Sequence, residues 1–150
     1  MANSIREQIL QAIGTTLAAV ASANGATFIR SPSAPLTIEQ TPALVLLPEG
    51  DAVVESSSTE RTQRKLTVSV VAVVRQAGTS GPSADLAADA LLVQAHSALF
   101  TSQPLADLRA RIEPADTDWG SESLNVSASW QPSRYVITYL TKRIDIATKG

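Results

Sequence analysis

A single histidine, His96, bounds the catalytic chemistry open to this chain of 150 residues, which has no cysteine. Any Ser-His-Asp relay must use that residue, and Cys-His catalysis, disulfides and thiolate metal sites are all excluded. His96 flanks a helical stripe of Ala88, Leu91, Leu92, Ala95 and Leu99, roughly on the side of Asp89, which is two turns away and beyond a direct side-chain pair. A lone titrating group without a second motif reads as a partly exposed helix residue. The acids Glu113, Asp116, Asp118 and Glu122 form one cluster, and Asp116-Thr117-Asp118 opens like a calcium loop. An EF-hand needs an acid or Asn at the fifth position, Gly at the sixth and Glu at the twelfth. Counted from Asp116 these are Gly120, Ser121 and Ser127, so a solvated loop is the better reading. A paired-carboxylate hydrolase would need two acids fixed about 5–10 Å apart in a cleft, and loop acids give no sign of one. The glycines, at 14, 25, 50, 78, 81, 120 and 150, spell no GxGxxG, Walker loop or GxSxG.

Arg61, Arg64 and Lys65 make the densest basic group. Glu55 and Glu60 lie close in sequence, no aromatic is interleaved, and the chain carries 12 Lys plus Arg against 14 Asp plus Glu. That composition favours a solvated strand end or a salt-bridged subunit contact over a nucleic-acid surface. Tyr135 and Tyr139 share a strand face with Ile137; they are either core or interface anchors, where aromatics are enriched. Glu60, Arg61, Arg64, Lys65, Tyr135 and Tyr139 are therefore the candidate interface residues. No catalytic, cofactor or metal residues are assigned.

These side chains must be positioned by a chain that is 44% apolar and 17% charged, against about 25% charged in an average protein. Ile9 to Ala23 is too interrupted by polar residues for a signal peptide, and no window nears the ~20 apolar residues of a membrane span, so a protein made and kept in a cytoplasm is expected. Ser4-Ile5-Arg6-Glu7 has the capping-box form. Behind it Ile5, Ile9, Ile13, Leu17 and Val20 predict an amphipathic helix to about Ala21, stopped at Asn24-Gly25. A short strand is expected at Thr27 to Arg30, and a doubly buried one at Ala43 to Leu47, ended by Pro48-Glu49-Gly50. Ala52 to Glu55 and Arg61 to Arg75 read as a possible hairpin, the second being a central strand with one face apolar throughout and the other apolar from halfway. Its polar start, Glu60 to Lys65, is expected to project beyond the core. Ser83 caps a helix running Ala84 to Phe100. Leu105 to Ile112 fits either a helical turn or a strand start, Asp116 to Ser129 is turn-rich between Trp119 and Trp130, and Arg134 to Ile144 is a long final strand. Clustered strands predict an α+β domain, with two main helices on one face of a largely antiparallel sheet.

This order of parts resembles the tail terminator, or tail completion, proteins of long-tailed bacteriophages. The resemblance rests on the first helix, the Pro42-led strand followed by Pro48-Glu49-Gly50, the charged hairpin into Glu60 to Arg75, the helix Ala84 to Phe100 and the strand Arg134 to Ile144. It spans nearly the whole chain as pattern and length rather than as a signature motif, and neighbouring neck and minor tail proteins look similar at this level. The resemblance implies a non-enzymatic homo-oligomeric ring, usually of six subunits, at the tail–head junction of the virion. Such a ring caps the tail tube protein, stops its polymerisation and offers a surface to the head-side neck or connector protein, with no cofactor, no membrane and no specific nucleic acid. Such a ring needs a heterologous contact whose rotation closes, and under this resemblance reversing Arg61 and Arg64 to Glu is expected to weaken ring or tube assembly while leaving the monomer folded. The competing readings are another neck or connector part of the same machine, and a small α+β enzyme or ligand-binding domain.

Overall fold

The N-terminal cap forms by half. In the computed structural model, which describes residues 2–33, 42–56, 60–75, 84–116 and 128–150, the Glu7 N–H donates to the Ser4 hydroxyl at 3.1 Å and helix α1 runs Ile5–Ala23. The Glu7 carboxylate does not return to the cap. It accepts from both terminal guanidinium nitrogens of Arg30 at 2.8 Å, tying the start of α1 to strand β1, Thr27–Arg30. A forked, charge-assisted pair outcompetes a single neutral amide, and it holds the Glu7 carboxyl below its usual range. Gly25, at φ 66, supplies the left-handed stop after Asn24.

Gly14 sits buried in mid-helix, where a Cβ would meet the Phe28 ring at 3.5 Å, an ordinary contact. Glycine costs about 1 kcal/mol relative to alanine in a helix interior. Gly14→Ala is therefore expected to add about 0.5–1 kcal/mol of stability, read as a higher urea midpoint at unchanged m-value; a lower midpoint would show that Phe28 cannot yield.

The remaining elements are β2 (Ala43–Ser56), β3 (Arg61–Arg75), α2 (Ala84–Phe100), the short α3 (Gln103–Asp107), β4 (Arg111–Ala115), β5 (Ala128–Lys142) and β6 (Asp145–Lys149). They build a curled six-stranded sheet of order β1-β2-β3-β5-β4, with β6 joined to β5. Only β1–β2 is parallel. The result is the α+β architecture expected, with two long helices and a largely antiparallel sheet.

Three boundaries differ from the sequence reading, one being the start of the long strand expected from Arg134, which pairs with β3 from Ala128 onward. Ala43 to Leu47 and Ala52 to Glu55 are one strand, because Pro48-Glu49-Gly50 is absorbed as a bulge rather than a turn, and a second register shift falls between Val53 and Glu55. Pro48 is tolerated because β1 pairs only as far as Leu46, leaving β2 an edge there. The same reasoning accommodates Pro132 in β5, since β4 pairs with β5 no further than Arg134. The last strand ends at Lys142 and the chain folds back as β6, leaving Ile144 in the turn at 96% exposure. Leu105 to Ile112 contains both alternatives, a helical turn and then a strand start. The Ser83 cap, Trp119, Asp118 and Glu122 lie outside the described residues.

The core follows the pleat of β3. Leu66, Val68, Val70, Ala72 and Val74 join one cluster with Ile9, Ile13 and Leu17 of α1 and Leu91, Ala95 and Leu99 of α2. Val71 and Val73 point the other way and pack with Ala43 and Val45. β3 lies between β2 and β5, as its two-sided apolarity requires.

Candidate functional site

The period-2 pleat divides the basic segment. Along β3, Thr62, Arg64 and Leu66 share the helix-side face, while Arg61, Gln63 and Lys65 share the far face. Arg61 and Lys65 are exposed; Arg64 is half-buried and turned toward α1. Glu60 is exposed just before the strand at φ 80, unusual for a residue with a side chain, and its carbonyl accepts from the Arg143 N–H at 2.6 Å. The sequence-adjacent candidates thus belong to two different surfaces.

On the far face the register sets Arg61 opposite Lys142, Gln63 opposite Leu140 and Lys65 opposite Thr138. Like charges directly across a ladder repel, and on the other side of β3 the register sets Glu55 opposite Gln63, between Arg61 and Lys65.

Tyr135 and Tyr139 are not interface anchors in this chain: they are 1% and 2% exposed, on the helix side of β5 with Ile137. The apolar rings fill the core, and each hydroxyl finds a partner, as a buried phenol must. Tyr139 stands across from Arg64 and donates at 2.7 Å to Oδ2 of Asp51. Asp51 lies on β2 between its two irregularities, with its side chain only 7% exposed and the Arg6 and Arg64 guanidinium groups each 3.5 Å from the same oxygen. Ser4, Thr141 and Ile146 complete the lining of a cavity of about 20 Å³. Asp51, Arg64 and Thr141 all line it, and among the described residues Asp51 Oδ1, Arg64 Nε and Thr141 Oγ1 have no partner, a donor–acceptor set and a volume that suit one bridging water. Sequence reasoning passed over Asp51. The available signal was an acid inside a strand-forming segment, where aspartate is depleted.

At the other end of β5, Ser133 Oγ donates to the Tyr135 oxygen at 3.2 Å, and the same hydroxyl shares a hydrogen bond with His96 Nδ1 at 2.9 Å. The imidazole also stacks on Phe100, with centroids 4.5 Å apart. This chain orients an exposed ring by packing and one hydrogen bond. Ser133 does not contact the imidazole, so the arrangement is no nucleophile–base pair. Among the described residues, no three His, Asp or Glu side chains gather in a way that could hold a metal.

Burial pushes both phenols above their ordinary range, and the Asp51 carboxylate raises Tyr139 further. With folded values raised, the neutral forms stabilise the fold fully below the unfolded tyrosine value near about 10, and that contribution is lost as pH climbs above it. In an alkaline titration followed at the tyrosinate absorbance, neither of the chain's two tyrosines is expected to ionise near its ordinary pH before the fold opens. A normal transition from either one in still-folded protein would contradict its placement.

No protein-family model matches the chain, and comparison with curated proteins finds no match. No helix among the described residues is long and apolar enough to cross a membrane.

Proposed function

We propose that this chain is a structural part of a long-tailed bacteriophage: a tail terminator subunit that closes into a ring, six subunits being the expected number, caps the tail tube and receives the head-side connector. The observation that supports this reading best is the three long strands β2, β3 and β5, which stay paired out to Ser56 opposite Thr62 and Arg61 opposite Lys142. There the core gives way to exposed side chains, charged at Arg61, Lys65 and Lys142 and apolar at Val53, Val54 and Leu140, so the sheet extends as a stiff platform whose β2 edge beyond Leu46 is paired by no other described strand. Such an element suits docking between subunits, where unpaired edge groups and fixed charges set register.

Electron microscopy of the purified protein, alone and mixed with tail tubes, tests the proposal. Rings, and tubes that carry a terminal ring and no longer elongate, are expected. Tubes that elongate unchanged in its presence would overturn it, and rings bound to the head connector but not to tubes would move the chain to the neck. The interface variant should be Arg61→Glu with Lys65→Glu, not Arg61→Glu with Arg64→Glu. Arg64 faces Asp51 across the cavity, so a glutamate there would set two carboxylates together and disturb the fold itself. The far-face pair is expected to reduce assembly with the melting temperature changed by less than about 4 °C, because two exposed substitutions of this kind each cost within about 0.5 kcal/mol.

A further inference from the structure

Helix α2 has a second apolar stripe, diametrically opposed to its core stripe. At 100° per residue, Ala84, Ala88, Leu91, Ala95 and Leu99 cover one side, and Leu86, Ala90, Val93, Ser97 and Phe100 are centred about 180° away. All five of the latter are exposed, Val93 at 61% and Phe100 at 43%. Their spacing of four and three residues is that of a helix seam. The stripe is flanked on one side by Asp89, with Asp85 in the first turn, and α2 contains no Lys or Arg. A surface helix with apolar residues on both sides and acids as its only formal charges presents an acidic, apolar ridge.

The far face of the sheet offers the opposite. Residues 60–65 and 142–149 hold six of the chain's 12 Lys and Arg, against Glu60 and Asp145; Arg64 belongs to the helix side, and Glu55 of β2 is in register with Gln63. Of these, Arg61, Lys65 and Lys142 surround Leu140, which is 39% exposed, on the face turned away from the helices. The Asp145 carboxylate, near Lys142, is already occupied by the Thr148 hydroxyl and the Ala147 N–H. The ridge points away from the helix side of the sheet and the basic patch away from its other side. They cannot meet within one chain.

We propose that they meet between chains: the α2 ridge of one subunit lies across the Arg61, Lys65, Leu140, Lys142 face of the next copy, and this is the heterologous contact of the ring. The inference rests on the ring reading above. The occupant is a second copy because the two surfaces complement each other in charge and both carry apolar area at the centre. Two different patches joined head to tail propagate in one direction and close when the rotation permits. Pairing Arg61 and Lys142 with Asp89 and Asp85 of a neighbour also relieves the repulsion between those two bases across the ladder.

A charge-exchange experiment in native mass spectrometry tests this contact. Asp89→Lys with Val93→Lys makes the ridge basic, and Lys65→Glu with Lys142→Glu makes the patch acidic; every position is exposed, so circular dichroism should match the parent. Each double variant alone is expected to assemble at least tenfold more weakly than the parent. An equimolar mixture restores the parent assembly with alternating subunits, because each intact ridge meets an intact patch and each exchanged ridge meets an exchanged patch. Normal rings from the ridge variant would overturn the proposed contact while leaving the ring reading in place. Loss in both variants without recovery on mixing would also overturn it, pointing to self-pairing of one surface. A parent protein that stays monomeric alone and on tail tubes would remove the ring reading, and this contact with it.

Discussion

Replacing Asp51 with alanine is expected to lower stability by about 3 kcal/mol. The carboxylate is nearly enclosed, accepts the Tyr139 phenol at 2.7 Å and stands 3.5 Å from both Arg6 and Arg64. Its removal leaves a buried hydroxyl without an acceptor, which costs about 1–3 kcal/mol, and leaves two guanidinium groups facing each other without the anion between them. Arg6 is half exposed and Arg64 a quarter exposed, so water screens part of that repulsion and the loss stays short of a fully buried pair's. For a domain of this size about 3 kcal/mol corresponds to roughly 6–12 °C in melting temperature. Asp51→Asn keeps an acceptor for Tyr139 and should lose less. The measurement is thermal unfolding of both variants beside Tyr139→Phe. If Asp51→Ala melts within 2 °C of the parent, the carboxylate does not organise this end of the sheet. Combining Asp51→Ala with Tyr139→Phe should cost less than the sum of the two, because they share one hydrogen bond.

Ile137→Ala should cost a similar amount for a different reason. Ile137 is fully buried on β5, directly opposite Leu66 of β3 on one side and Ile112 of β4 on the other. Truncating an isoleucine at such a site removes its transfer free energy and leaves a cavity that strands held on both sides cannot collapse, giving about 2–5 kcal/mol. Ile137→Val, which removes one methylene, should cost about 1 kcal/mol. On the same strand, Leu140 is 39% exposed on the opposite face, and its truncation should fall below about 1 kcal/mol. Urea unfolding of the three variants checks the order. Equal losses at 137 and 140 would mean that the assignment of faces along β5 is wrong, since that assignment alone separates the two predictions.

The order of elements was legible because local signals carry it. The Ser4 cap, the 3.6-residue stripe of α1, the Gly25 stop and the alternation of β3 all report on backbone geometry within a few residues. The centrality of β3 was legible too, since apolar residues on both sides of a strand demand neighbours on both sides. Local signals failed where the answer depended on a neighbour. Pro48-Glu49-Gly50 has the composition of a turn, and becomes a bulge because β3 continues alongside to pair with both halves of β2. Glu7 has the spacing of a capping box, and its carboxylate is claimed by Arg30 from another element.

The candidate site was legible in part. By itself the sequence determined which side chains were available: one histidine, no thiol, a basic cluster at the start of β3 and two tyrosines on one strand face. The two-residue period of a strand also separates Arg64 from Arg61 and Lys65, which their adjacency in sequence had grouped as one basic cluster. Only the tertiary structure decided which face was the inside, since a pleat gives alternation without sign and the sign comes from where the helices pack. That choice buried Tyr135 and Tyr139, turned Arg64 onto Asp51 from a strand that adjoins β3 only in the folded sheet, and left Arg61, Lys65 and Lys142 together on the far side of the sheet.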